Sequence, residues 1–282
     1  VTKPIEVLFE GFDERVYTNK QHDIQDSFLD DELNKIEEDF VFLFVGHWLK
    51  GDFGHDRKDV ATLIKTFSET FRDKKNPPAL LLKTSAGVFS VMDREEIVTR
   101  IQKARDGIKG ELPPVYLLHG ELSDEEMNNL YNHSKIKSMV SLTKGEGFGR
   151  PLLEFTQSGK PIIASAWSGH MDFLNREDSL LVGGKISKIH QSVVWDKVLI
   201  PESGWFYVDV NEATHAMKKL YSGYNKFHKK SKSFGYKVKK RFKLSDMTSK
   251  LGELFDATIP EFPKEIQLEL PKLKLPKLRK ID

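Results

Sequence analysis

The sequence predicts an α/β fold with a parallel sheet, on two observations. A strand, a turn, a helix and a second strand can be read consecutively between residues 138 and 166. The length agrees: 282 residues bury ample core for one large α/β domain with appendages, yet are short for two such domains plus tails. Ser138-Met139-Val140-Ser141-Leu142 has the character of a short buried strand, and Thr143-Lys144-Gly145 breaks it. Pro151 suits the first position of a helix, where its missing N–H costs nothing. Leu152, Leu153 and Phe155 give that helix an apolar side, Gly159 with Pro161 stops it, and Ile162-Ile163-Ala164-Ser165-Ala166 supplies the next strand. The result is a β-α-β unit, whose strands lie parallel.

The turn inside this unit, Glu146-Gly147-Phe148-Gly149-Arg150-Pro151-Leu152-Leu153-Glu154, carries the functional signal. A loop leaving the carboxyl end of such a strand faces the ligand crevice, and the N–H groups of a glycine turn and helix start favour an anion. Glu146 falls in the loop and Glu154 about one helical turn inside, within reach of one ligand. A carboxylate accepts two hydroxyl hydrogen bonds, which fits the diols of a ribose or hexose. The same residues are equally compatible with a plain strand-to-helix turn bearing two solvated glutamates, a pattern found in many α/β proteins.

A longer stretch, from about Val41 to Val182, resembles the nucleotide-sugar-binding half of a GT-B glycosyltransferase of the large retaining group called family 4. The E-x7-E signature matches Glu146 and Glu154 with Gly-Phe-Gly between them. Phe42-Leu43-Phe44-Val45-Gly46 resembles the first strand and glycine of that domain. Val115-Tyr116-Leu117-Leu118-His119-Gly120, then Leu122-Ser123 and Tyr131, resembles the segment ahead of the signature. Gly159-Lys160-Pro161-Ile162-Ile163-Ala164 and Ser168-Gly169 resemble the strand and glycine loop after it. The resemblance implies a doubly wound parallel sheet, the Rossmann-like carboxy-terminal domain of the GT-B fold. It implies a retaining, metal-independent transferase moving a sugar from a nucleoside-diphosphate sugar, the donor substrate, to an acceptor hydroxyl, with no further cofactor.

The resemblance assigns roles residue by residue. Glu146, Arg57 and Lys58 are the catalytic candidates, the two cations neutralising the departing diphosphate and Glu146 holding the sugar. Gly46, His47, Lys144, Gly147, Phe148, Gly149, Arg150 and Glu154 are the donor-binding candidates, with Glu154 on the nucleotide ribose. Two departures bear on activity. The family commonly has Arg after the first-strand glycine and Lys further on; here His47 takes the first place, and Arg57 and Lys58 follow the insertion Gly51-Asp52-Phe53-Gly54. Arg57 can supply the missing guanidinium, whose planar fork suits phosphate oxygens. Read without the family, Arg57 and Lys58 are exposed charges at a helix start. Asp172 stands where Glu is common, one methylene shorter.

Composition is that of a folded, water-facing chain, 39% hydrophobic and 30% charged. No apolar run approaches the ~18–20 residues of a membrane span and no signal peptide is visible. There is no cysteine, so disulfides and thiolate chemistry are excluded and a cytoplasmic site is expected. No Asp-x-Asp pair or histidine cluster has metal-ligand spacing.

Ile5-Glu6-Val7-Leu8-Phe9-Glu10-Gly11-Phe12-Asp13 resembles the segment that crosses between the two domains of this family, so residues 1–40 read as interdomain linker and acidic helix, 41–259 as the nucleotide-sugar-binding domain and 260–282 as an extended basic tail. The expected partners are a nucleotide sugar and an amino-terminal acceptor-binding domain or subunit; alone, the chain is expected to be nearly inactive. In the acidic stretch 23–39, Phe28, Leu29, Leu33 and Ile36 sit at helical intervals. From Lys218 to Lys243 there are eleven Lys or Arg, no acid and six interleaved aromatics; this reads as a solvated helix face with the aromatics turned inward rather than as a nucleic-acid surface. In the tail, Leu270-Pro271-Lys272-Leu273-Lys274 is nearly repeated by Leu275-Pro276-Lys277-Leu278-Arg279, an extended segment because proline forbids a regular helix. It is either a disordered tail or an arm for self-association, another domain or an anionic membrane surface. Two other classes remain open: a binding or structural module of the same fold without transfer activity, and a glycosyltransferase associated with nucleic acid.

Overall fold

The computed structural model describes residues 5–25, 27–49, 51 and 53–259; the basic tail read over 260–282 lies outside them. Six strands form the main sheet: β1 (Val41–Val45), β2 (Ala79–Lys83), β3 (Val115–Leu118), β4 (Ile136–Ser141), β5 (Ile162–Ser165) and β6 (Leu180–Val182). Their order is β3-β2-β1-β4-β5-β6, and every neighbouring pair is parallel. The winding reverses between β1 and β4, which is where a doubly wound sheet opens its ligand crevice.

Parallel strands buried on both faces need apolar side chains on both sides of the pleat, and the sequence supplies them as unbroken runs. Phe42, Phe44, Leu80, Leu82, Val140, Leu142 and Ile163 belong to a core shared with α2 (Val60–Phe71), α3 (Val91–Arg105) and α6 (Val210–Ser222). Their neighbours Val41, Leu43, Leu81, Met139, Ile162 and Ala164 face the other way, into a core shared with α4 (Asp124–Asn132), α5 (Arg150–Phe155) and α7 (Tyr224–Lys239). The helices thus cover both faces, as the sequence predicts. After β6 come two antiparallel strands of a separate sheet, β7 (Gly184–Lys188) and β8 (Gly204–Val208). The helix after Lys243 is α8 (Leu244–Thr258).

The acidic stretch forms a short helix, α1 (Phe28–Asn34), capped by Ser27. Leu29, Leu33 and Ile36 are buried, whereas Phe28 is exposed. The segment before it packs on the main core through Phe12 and Tyr17. Phe12 N donates to Phe242 O (3.0 Å) and Leu244 N to Phe12 O (2.8 Å), so the segment before α1 meets the junction between α7 and α8. In the basic stretch Phe234 and Phe242 enter the core on the α4–α5–α7 face, Tyr221, Tyr224 and Phe227 pack at the edge of the core on the opposite face, and Tyr236 lies outside with Lys240 4.6 Å from its ring centre. Among the described residues no helix is long and apolar enough to cross a membrane.

Lys160 ties α4 to the start of β5, its Nζ donating to the carbonyls of Tyr131 (2.7 Å) and His133 (2.8 Å). Burial, with Lys137 nearby, pushes its ammonium from the ordinary 10.5 down to about 7. Between those values the folded chain binds fewer protons than the unfolded chain, so the unfolding free energy rises with pH. Replacing Lys160 with Met is expected to remove that rise, which denaturant titrations at the two ends of the window measure.

Candidate functional site

The carboxyl ends of β1, β2 and β4 open into one crevice. β1 runs into Gly46 and His47; β4 runs into Thr143, Lys144, Gly145 and Glu146. Between β1 and α2 a loop brings Arg57 and Lys58 back to the sheet just ahead of the N-cap Asp59, whose φ of 53° is left-handed.

Lys144 fixes that loop from beneath. Its Nζ donates to the carbonyls of Gly54 (3.0 Å) and Asp56 (2.9 Å) and pairs with Asp59 Oδ1 at 2.6 Å. Its backbone N–H adds a bond to Arg57 O (2.8 Å). The side chain is completely buried, and three partners use the three protons of an ammonium. Lys144 is therefore not available to a ligand as the sequence reading had it: the turn after β4 directs it under the β1–α2 loop instead of into the crevice.

Lys58 and Arg57 meet on Glu146. Lys58 Nζ lies 2.6 Å from Glu146 Oε1, and Arg57 Nη1 lies 3.1 Å from Oε2 and 2.5 Å from Gly145 O. Burial raises the Glu146 carboxyl, but Lys58 and Arg57 outweigh it and hold it below the usual carboxylate range. Burial also pushes the Lys58 ammonium down, against the pull of Glu146. Neither Lys58 nor Glu146 is a solvated charge, since their side chains are only 13% and 8% exposed. Arg57, at 44%, keeps a face to solvent. The cluster joins two elements 88 residues apart in sequence.

The glycine turn continues into α5. Gly149 caps it with φ 95°, a conformation that disfavours any side chain. Phe148 is buried against Phe173 and Phe242 (ring centres 5.3 and 6.1 Å), so it offers the crevice only its backbone. Glu154 is buried one turn further on, with Oε1 3.2 Å from Arg150 Nη2 and Oε2 3.5 Å from the Tyr131 hydroxyl. Burial raises its carboxyl, opposed by Arg150. Arg150 itself is 58% exposed. The two signature carboxylates are thus both buried yet do not share a partner: Glu146 turns to the cations and Glu154 toward α4. The second glycine loop supports the first. Glu146 N donates to Ser168 Oγ (2.8 Å) and Gly169 N to Glu146 O (3.1 Å). Asp172, further along, is exposed.

The profile of the family described as "Glycosyl transferases group 1" matches residues 26–190, more than half of the chain. The chain belongs to this family. Sucrose-phosphate synthase from Thermosynechococcus elongatus is similar over 89% of this chain and 52% of its own, at 18% identity and a TM-score of 0.60. HepE of Anabaena, solved with UDP and glucose, is similar over 89% of this chain and 57% of its own, at 15% and 0.58. The carboxy-terminal domain of the group 1 protein LpcC from Francisella tularensis is matched over its whole length and 83% of this chain, at 16% and 0.53. At such identities the likeness shows the fold, a GT-B α/β domain. The chain spans about half the length of the first two. No curated protein sequence matches it.

Within this group 1 domain, sequence reasoning missed the far wall of the crevice, a cleft of about 440 Å³. Lys83, at the end of β2, donates from Nζ to Gly120 O (2.5 Å) and stands 5.3 Å from the Phe89 ring centre. Burial pushes its ammonium down, opposed by Glu121. His47 Nδ1 lies 2.9 Å from Ser85 Oγ, tying the first-strand loop to the second. Behind them Asp93 Oδ2 meets His119 Nε2 at 2.7 Å and accepts from Ala86 N. One signal was readable: Lys83 is the charged residue that closes the apolar run Ala79–Leu82, hence the carboxyl end of a strand.

A methyl group on Gly169 would stand 1.9 Å from Gly147 O. Gly169→Ala is expected to push the signature turn off its support and cost about 1–3 kcal/mol, the range for overpacking. A lowered denaturation midpoint with unchanged secondary structure checks it.

Proposed function

We propose that this chain is the donor-binding half of a retaining glycosyltransferase and takes a nucleoside-diphosphate sugar in the crevice between β1 and β4. One observation carries the reading: Lys58 and Arg57 converge on Glu146 at the switch point of the sheet, beside the N–H groups of Gly147, Phe148 and Gly149. Two cations against one carboxylate leave a positive site, and its partial burial strengthens the attraction for an anion. In the proposed complex Arg57 and Lys58 neutralise the diphosphate as its bond to the sugar breaks, the electrostatic stabilisation such a reaction most needs. Glu146 and the turn amides hold the sugar hydroxyls. Glu154 takes the ribose hydroxyls in place of its present partner Arg150, which lies on the exposed side. Gly46 and His47 border the phosphates.

The relatives support the same ligand class. HepE was solved with UDP, with UDP and glucose, and with UDP-glucose. In the proposed reaction the cations do the work of a metal, so no metal ion or cofactor is required. The acceptor hydroxyl is brought by a further domain or subunit, with residues 41–259 acting as the nucleotide-sugar unit, 1–40 as the link and the cytoplasm as the setting. The 282-residue chain by itself is then expected to bind donor without transferring it, and robust transfer by the purified chain to a defined acceptor would refute that part.

Calorimetry with UDP and GDP tests the donor reading. Glu154→Ala is expected to weaken binding by about 1.5–3 kcal/mol, the worth of hydrogen bonds to a charged group. Lys58→Met combined with Glu146→Gln removes a cation without stranding its carboxylate, and should weaken binding at least as much. Absence of any nucleotide affinity in the unmutated chain overturns the proposal.

A further inference from the structure

Beside the crevice stands an apolar wall that the cation cluster does not explain. β7, β8 and the loop between them are held to the signature loop by Phe206 N donating to Lys144 O (3.0 Å), and Phe206 stacks on Trp167 with ring centres 6.1 Å apart and planes within 6°. The loop and the start of β8 share a small core of Ile189, Val193 and Trp205. From it Trp195, Val198, Leu199 and Trp205 face Arg57 and Lys58 across a cavity of about 530 Å³. Trp195 and Val198 are 69% and 66% exposed.

The chemistry of the lining narrows the occupant. Charged side chains and His47 enter on one side only, where His47, Arg57 and Lys58 are shared with the donor crevice. A sugar or a nucleoside placed here would set its hydroxyls against hydrocarbon and leave them unpaired, which costs binding. An alkyl chain or aromatic ring loses nothing and buries apolar area, and rigid tryptophans are good anchors for it. The size is that of pockets which enclose a small organic ligand. Since the cavity ends at the cations, the polar head of such a molecule lies next to the site proposed for the donor sugar. A hydroxylated head on an apolar tail is the chemistry of an acceptor glycoside with a hydrophobic aglycone.

We infer that the cavity between the β7–β8 loop and Arg57 takes the alkyl or aryl aglycone of the acceptor, whose reacting hydroxyl the further domain positions, and so contributes to acceptor specificity. This rests on the donor reading for the identity of the neighbouring ligand, not for the cavity's own preference. Calorimetry on the full chain with octyl glucoside, kept below its micelle threshold, and with glucose tests it, using Trp195→Ser and Val198→Ser, uncharged changes at exposed positions that add no charge beside Arg57 and Lys58. Octyl glucoside is expected to bind saturably and glucose not. Each variant should weaken octyl glucoside about tenfold, the factor for returning one large apolar contact to water, while UDP affinity stays unchanged. No octyl glucoside binding, or binding indifferent to both variants, overturns the inference. Weakened UDP binding in the variants overturns it in favour of a nucleobase in the cavity, and a variant-dependent change in elution volume in favour of a second copy. Octyl glucoside binding that the variants weaken, with no UDP or GDP affinity in any protein, upholds the apolar pocket and sinks the donor reading instead.

Discussion

One buried ammonium sets the geometry of the crevice. Lys144 leaves the end of β4 and ties itself to Gly54, Asp56 and Asp59 of the β1–α2 loop, which places Arg57 and Lys58 over Glu146. An unpaired charge at that depth would be prohibitive, and removing one partner of a buried pair is strongly destabilising. The loop is therefore held where the carbonyls and the carboxylate can satisfy the lysine. Phe206 N binds Lys144 O, so the β7–β8 unit is positioned by the same residue.

Around this tie the charges fall into two classes. Lys144 and Asp59 are satisfied internally and build the scaffold. Lys58, Arg57 and Glu146 are satisfied by one another across the mouth, with Arg57 half in solvent. Such a set can exchange a carboxylate partner for a phosphate at little reorganisation, because the positions are already fixed by backbone bonds such as Lys144 N to Arg57 O. Glu154 belongs to neither class. Burial raises its carboxyl, and its partner Arg150 is the exposed end of an i,i+4 pair, a contact of small intrinsic worth that a better ligand can displace.

The β7–β8 unit adds a different kind of surface. Most of it lies beyond the stretch matched by the family profile, which ends at residue 190. It brings tryptophan and branched aliphatic side chains to the cation side of the crevice. A polar and an apolar wall thus meet at Arg57, which borders both cavities.

The sequence by itself determined the parallel α/β architecture, because the apolar runs 138–142 and 162–166, joined by a turn and a helix, read as one β-α-β unit whose strands lie parallel. It determined the β4–turn–α5–β5 unit nearly to the residue, since proline and glycine act through the local backbone. It also brought Glu146, Arg57 and Lys58 into one list, though only a family pattern joined residues so far apart. Tertiary structure alone decided which lysine faces the crevice. Lys58 and Lys144 have the same side chain in equally polar, glycine-bearing contexts; their roles divide because the turn after β4 points one beneath the loop and the other across it. It alone assembled the wall of Lys83, Phe89 and His119, and the Trp195 cavity, since those contacts link strands and loops whose adjacency depends on the order of the sheet.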